Sequence, residues 1–223
     1  MESARIYETS QNRMLDLAAT LDESRLGTLV PACPEWTVRQ VYAHLAGLCT
    51  DVVRGDVAPP ASDEVTARQV ADRADHTPES VIAEWRRTAP ALLELLASQT
   101  RRRYWLPALD VWHHENDVRG ALGLPAQTED ADQLADFPLG GLAKGWPAEL
   151  PPVRVVATDT GQEWTLGEGA VLTLSGTAFE LARAVTGRRS IAQILAMDWT
   201  GGDPAPVAPY LPTLPAPAGD LAV

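Results

Sequence analysis

The spacing of apolar residues changes once along this chain, and that change bounds the fold more tightly than any other feature of its 223 residues. Up to about residue 125, apolar side chains recur at i, i+3, i+4 and i+7, the period of one helix face. After about residue 152, short runs read as strands bounded by turn residues. A helical part followed by a small mixed part is an α+β arrangement.

Four helices are expected in the first part. The first covers about 5–21, with Ile6, Met14, Leu17, Ala18 and Leu21 on one side. VPACPEW then reads as a Pro-bearing loop. The second helix starts at Thr37, where Thr37 and Gln40 form a T-x-x-Q capping box. In such a box each side chain satisfies an orphan amide at the helix start. The apolar face of this helix is Val41, Leu45, Leu48 and Val52. Residues 56–76 are polar and read as a connection. The third helix begins at Thr77-Pro78-Glu79, an N-cap with Pro at the first helical position. It runs through Val81, Ile82, Trp85, Leu92 and Leu96, and Pro90 is expected to kink it or end it early. The fourth covers about 107–122 and stops at Gly123. Four helices with one apolar face each make a bundle, so 1–125 reads as one domain.

Residues 126–152 are acidic and carry Gly and Pro, and read as a linker crossing to a second unit. VRVVATD, EWTL and AVLTLSG then read as strands, with turns at Thr160-Gly161 and Gly167-Glu168-Gly169. Residues 177–186 read as a helix ending at Gly187, and 190–198 fit either a strand or a helix. This makes 153–200 a small α/β domain. The tail, 201–223, holds six Pro and is expected to wrap the surface or stay loose.

Charge excludes some functions. The net charge is -12, with 30 acids against 18 bases, and the one basic run is Arg101–Arg103. Binding to nucleic acid or to an anionic membrane needs clustered cations, so neither partner is expected. No apolar run approaches the ~18 residues of a membrane span, and the N-terminus lacks the pattern of a signal peptide. Two Cys, Cys33 and Cys49, fit free thiols and a cytoplasmic location.

A chemical site is suggested by polar residues on apolar faces. On a wheel of about 100° per residue, His44 lies at the edge of the stripe formed by Val41, Leu45, Leu48 and Val52. On the fourth helix, DVWHHENDVR places Asp110 and His114 at i and i+4 on the inward arc and leaves His113 outside it. Glu115 and Arg119 fall on the outer side and read as a surface ion pair. One His from one helix with an Asp and a His from another offers N, N and O ligands. Three protein ligands with open positions is the arrangement of a catalytic Zn²⁺ site. Asp117 borders the same face and suits a hydrogen bond to a ligating imidazole. Spacing alone leaves open a plainer reading, a buried His hydrogen-bonded to a nearby Asp.

At these residues the chain resembles the mycothiol-dependent maleylpyruvate isomerase family, a branch of the DinB-like four-helix metalloproteins. CPEWTVRQVYAHLAG resembles its first signature and DVWHHENDVRGALGLP its second. VRVVATDTGQEWTL…LSGTAFELARAVTGRRS is similar to its small α/β domain, which resembles sterol carrier proteins. The resemblance covers nearly the whole chain except the Pro-rich tail. It implies a divalent metal, usually zinc, on His44, Asp110 and His114. The acid in the isomerases is typically Glu; Asp110 is one methylene shorter, so a metal is expected closer to the fourth helix or more weakly held. The resemblance also implies mycothiol as cofactor. Its thiolate adds to the activated double bond of maleylpyruvate, rotation follows, and elimination gives the trans isomer; related members transfer the thiol to other electrophiles.

A dianionic substrate calls for a cationic anchor, and Arg suits carboxylate best. Arg188 and Arg189 in TGRRS are the candidates, with a solvated basic turn as the plainer reading. Trp36 is expected at the mouth of the bundle, packing the loop and lining the pocket. Cys33, just before a helix, reads either as a nucleophile or as a small buried loop residue. Trp112 and Cys49 read as packing residues. The expected function is a metal-dependent, thiol-cofactor isomerase or S-transferase acting on a small electrophile, as a monomer or homodimer. A non-enzymatic metal or small-molecule binding protein of the same fold, or a metal-assisted hydrolase, are the competing readings.

Overall fold

Side-chain caps set most of the helix starts. The computed structural model describes residues 2–169 and 171–223; Met1 and Ala170, the latter the first residue of AVLTLSG, lie outside the described residues. Helix α1 spans Ser3–Ala18 and α2 spans Glu23–Leu26, capped by Asp22. VPACPEW, expected as a loop, contains part of an antiparallel ribbon of β1 (Leu29–Val30) and β2 (Cys33–Thr37). Pro34 is tolerated because the register slips between the pairs Val30–Cys33 and Leu29–Thr37, where no ladder donor is needed.

Helix α3, Val38–Arg54, begins with the expected capping box. Gln40 N donates to Thr37 Oγ1 at 3.4 Å, and Thr37 N donates to Gln40 Oε1 at 2.8 Å. The stretch 56–76 is not all connection: Ser62 caps α4, Asp63–Ala71. Helix α5 runs Pro78–Ser98 from its cap on Thr77. Pro90 does not end it. One amide donor is lost there, but Trp85, Ala89, Leu92 and Leu96 are buried on both sides of the proline and hold the helix in place. A 3-10 turn at Arg102–Trp105 leads into α6, Leu106–Ala121. Gly123, at φ 66°, closes α6: Leu124 N donates to Arg119 O at 2.8 Å and Gly123 N to Gly120 O at 3.2 Å. This is a Schellman ending, for which the left-handed glycine is required.

These helices belong to a compact unit of Glu2–Gln127 with Val223. Within it, α1 packs on α5 and α6, and α3 packs on the same two, so four long helices surround one core. Met14, Leu45, Trp85, Leu92, Val111 and Trp112 fill it. Helix α4 lies outside that ring, against α3.

The second unit is Thr128–Ala222. The segment 126–152, read above as a linker, carries helix α7, Ala131–Gly145, inside this unit. Leu134, Ala135, Pro138 and Leu139 form a buried stripe at helical spacing, which the glycines and Pro138 obscure in the sequence. Strands β3 (Val153–Ala157), β4 (Glu163–Leu166) and β5 (Leu172–Gly176) follow, then α8 (Ala178–Val185). Residues 190–198 resolve into a helix and the start of a strand, α9 (Ile191–Leu195) and β6 (Asp198–Thr200). The sheet order is β4-β3-β5-β6, with β3 and β5 parallel and the other pairs antiparallel. Helix α7 covers β4 and α8. The Pro-rich tail is anchored: Val207, Ala208, Leu211 and Leu221 are buried, and Thr213 N donates to Val185 O at 2.8 Å.

Candidate metal centre

Three elements of the helical unit bring polar side chains together. The capping box starts α3 at Val38, which places His44 on the second turn, facing α6. Helix α6 contributes Asp110 and His114, and β2 contributes Cys33 and Trp36. His44 Nε2 lies 3.2 Å from Asp110 Oδ2, and His114 Nε2 lies 3.6 Å from Asp110 Oδ1. The far side of each imidazole is held as well. His44 Nδ1 meets Gln69 Oε1 at 3.0 Å, and His114 Nδ1 meets Asp117 Oδ2 at 3.3 Å. Both rings therefore present Nε2 to the same carboxylate. The side chains of His44 and His114 are 3% and 5% exposed and that of Asp110 is 28% exposed, so the cluster opens on the Asp110 side.

Trp36 lies over both rings, with centroids 5.0 Å from His44 and 6.2 Å from His114. Cys33 Sγ approaches His114 Nδ1 to 3.9 Å, a contact the sequence does not reveal, because nothing in it says that the ribbon folds back against α6. Burial alone pushes the His114 imidazolium down, but the facing Asp110, Cys33 and Asp117 outweigh it and hold its pKa up, at about 10. Burial pushes the Cys49 thiol up to about 12, in keeping with a packing role.

The donor atoms suit a metal ion. One nitrogen each from His44 and His114 and one oxygen from Asp110 lie within 4.8 Å of one another. Two imidazoles and a carboxylate suit Zn²⁺ or a similar divalent ion, and neutral imidazoles braced at the opposite nitrogen are the usual ligands. Cys33, His114 and Asp117 form a second group within the same distance, and it uses the Nδ1 side of His114.

Other candidate residues sit differently. Arg188 and Arg189 lie in the C-terminal unit. Arg189 is buried with its guanidinium on Glu180, at 2.8 and 2.9 Å, so its fork already holds a carboxylate. Arg188 donates to Thr186 O at 3.0 Å. Glu115 and Arg119 are not a surface pair. Glu115 is fully buried, takes two parallel bonds from Arg13 of α1 at 2.8 and 2.9 Å, and a third from Arg119 at 3.2 Å. The outer side of α6 is covered by α1, which a wheel for one helix cannot show. His113 is buried, edge-on against Trp112, with ring centroids 4.9 Å apart.

Residues 7–119 match the family described as the mycothiol maleylpyruvate isomerase N-terminal domain. The chain belongs to this family. Membership places it among enzymes of the thiol-dependent isomerase type. The match takes in every residue of the cluster, from Cys33 to Asp117. Two solved structures share the fold. A histidine-to-alanine mutant of the mycothiol-dependent maleylpyruvate isomerase is 15% identical, with TM-score 0.59 over 84% of this chain and 88% of that one. A second structure of that isomerase gives 15% identity and TM-score 0.54 over the same shares. No curated protein matches the chain. Among the described residues, no helix is long and apolar enough to cross a membrane.

Proposed function

We propose that the chain is a metal-dependent, thiol-cofactor isomerase or S-transferase of the maleylpyruvate isomerase type, with His44, Asp110 and His114 holding a divalent ion, zinc by its donor set. The observation that carries this is the convergence of two imidazoles on one carboxylate, each with Nε2 turned inward and a polar side chain beside Nδ1. A divalent ion there supplies the Lewis acidity that lowers the pKa of a thiol such as mycothiol to neutral pH. Asp117 braces His114, and Trp36 walls the cluster on the ribbon side, so that thiol and electrophile enter past Asp110. The reaction this serves is cis-to-trans isomerisation by thiolate addition, rotation and elimination. Of the two arginines, Arg188 is the candidate anchor for an anionic substrate, since the Arg189 fork is taken by Glu180. We read the helical unit as a DinB-like four-helix bundle and the C-terminal unit as the small domain that resembles sterol carrier proteins.

The test is elemental analysis, mycothiol calorimetry and a maleylpyruvate isomerisation assay on one preparation. The expected result is one equivalent of divalent metal and conversion that requires the thiol. Protein that stays metal-free after zinc reconstitution at neutral pH overturns the reading. Metal-dependent turnover without thiol dependence would favour hydrolysis instead.

A further inference from the structure

Helix α4 docks with little apolar burial: its Val65 and Val70 are only half-buried. It buries only one side chain, Gln69, which is 1% exposed. Its attachment to the bundle is polar and centred on that residue. Gln69 Oε1 lies 3.0 Å from His44 Nδ1, and Gln69 Nε2 donates to Asp51 Oδ2 at 2.7 Å. His44 and Asp51 are two turns apart on one face of α3, and Gln69 bridges them. Arg68 also donates to Asp51 Oδ2, at 2.8 Å. Arg73 donates to Gln69 O at 2.9 Å and to Glu84 of α5 at 3.0 Å. Helix α4 is thus pinned to two helices of the bundle.

The space for this is made by a glycine. A Cβ on Gly47, midway between His44 and Asp51, would lie 2.7 Å from Gln69 Cβ and 2.9 Å from Gln69 Cγ. Glycine inside a helix costs about 1 kcal/mol relative to Ala. Here it lets α4 approach closely enough for Gln69 to reach His44.

The chain of donors has a direction. A carboxylate only accepts, so Asp51 requires the amide NH₂ of Gln69 on its side. Gln69 then turns its oxygen to His44, and an oxygen there requires a proton on Nδ1. With Nδ1 committed to Gln69, any metal bound by His44 must use the lone pair of Nε2, the nitrogen that faces Asp110. We infer that Asp51 and Gln69 form a positioning relay, carried by α4, that sets the tautomer of His44 and aims its Nε2 lone pair into the metal centre. The metal half of this rests on His44 being a ligand, as proposed above.

Two measurements test it, one of them independent of metal. Long-range ¹H–¹⁵N NMR of the metal-free protein is expected to show a proton held on His44 Nδ1, and to show that proton lost from Nδ1 or shared with Nε2 in Gln69→Leu. Chelator competition is expected to show zinc held roughly 10–100-fold more weakly by Gln69→Leu, the usual effect of losing an outer partner of a ligand. Cobalt(II) spectra of the variant should shift to match. Rescue distinguishes positioning from mere packing: in Gln69→Glu/Asp51→Asn the new carboxylate accepts from His44 and the new amide donates to it. This pair is expected to restore the tautomer and most of the zinc affinity. Should Gln69→Leu not fold, Asp51→Asn frees the amide to flip, and the same NMR mixture is expected. A wild-type His44 with no proton on Nδ1, or a Gln69→Leu protein with unchanged Nδ1 protonation and zinc affinity, overturns the relay. A wild type with the Nδ1 tautomer that binds no zinc would instead sink the proposed function and leave the relay standing.

Discussion

Asp110 and Glu115 stand on the same helix, little more than one turn apart, and their surroundings differ in kind. Glu115 is fully buried and enclosed by the guanidiniums of Arg13 and Arg119. Its charge is balanced, and its lone pairs are spent on bonds that tie α1 to α6. Asp110 faces two imidazoles, is 28% exposed, and meets neither with a short bond. A carboxylate whose partners are themselves potential ligands keeps lone pairs for an ion; one clamped by two guanidiniums does not. The contrast separates the part of α6 that holds the bundle from the part that faces the proposed metal centre.

The sharpest break in that contrast is His114→Ala. It is expected to weaken metal binding by more than about 100-fold, since even outer partners of a ligand contribute roughly 10–100-fold, and to take thiol-dependent turnover with it. His113→Ala, one residue away, is expected to keep one equivalent of metal by elemental analysis. Equal losses in both variants would mean that α6 was disturbed as a whole.

Glu115→Ala should have the opposite character. Removing the buried carboxylate leaves two cations facing each other, and a cost of about 3 kcal/mol in denaturant unfolding is expected. Asp110→Ala should cost far less stability in the metal-free protein while abolishing metal uptake. A Glu115→Ala protein as stable as wild type would remove the structural half of the comparison.

A smaller effect is expected from Asp110→Glu. The longer side chain moves the oxygen by one methylene, and the metal dissociation constant should change by no more than about tenfold, or about 1.4 kcal/mol. The mildest signature is in protons. With the His114 pKa at about 10, the ring is protonated at pH 7, so metal must displace a proton to bind. Calorimetry in buffers of different ionisation enthalpy should show about one proton released at pH 7. Metal affinity should rise with pH and level off above about 10, where the ring is already neutral. Affinity that falls as pH rises through this window would contradict the sign.

The residues of the cluster are legible because local rules place them. Thr37 and Gln40 set the start of α3, and with it the phase of His44; the i, i+4 spacing puts Asp110 and His114 on one face of α6. The resemblance carried by the same two motifs names the family that residues 7–119 match. Helix α4 is not legible in this way. Its one buried residue is polar, so no apolar period marks it, and its docking depends on Gly47 and Asp51 in another helix. The burial of Glu115 escapes for a related reason. Residues 111–118 of α6 are all buried, so the helix has no solvent face for a wheel to find.

What the sequence determined by itself is where the long helices begin and which side chains share a face, because caps and periodicity act over a few residues. Only the tertiary structure decided which faces meet: that β2 lays Trp36 over both imidazoles, that α1 covers Glu115, and that α4 delivers Gln69 to His44. Those contacts join residues 8 to 102 positions apart, and their partners are chosen by packing and charge balance rather than by local pattern.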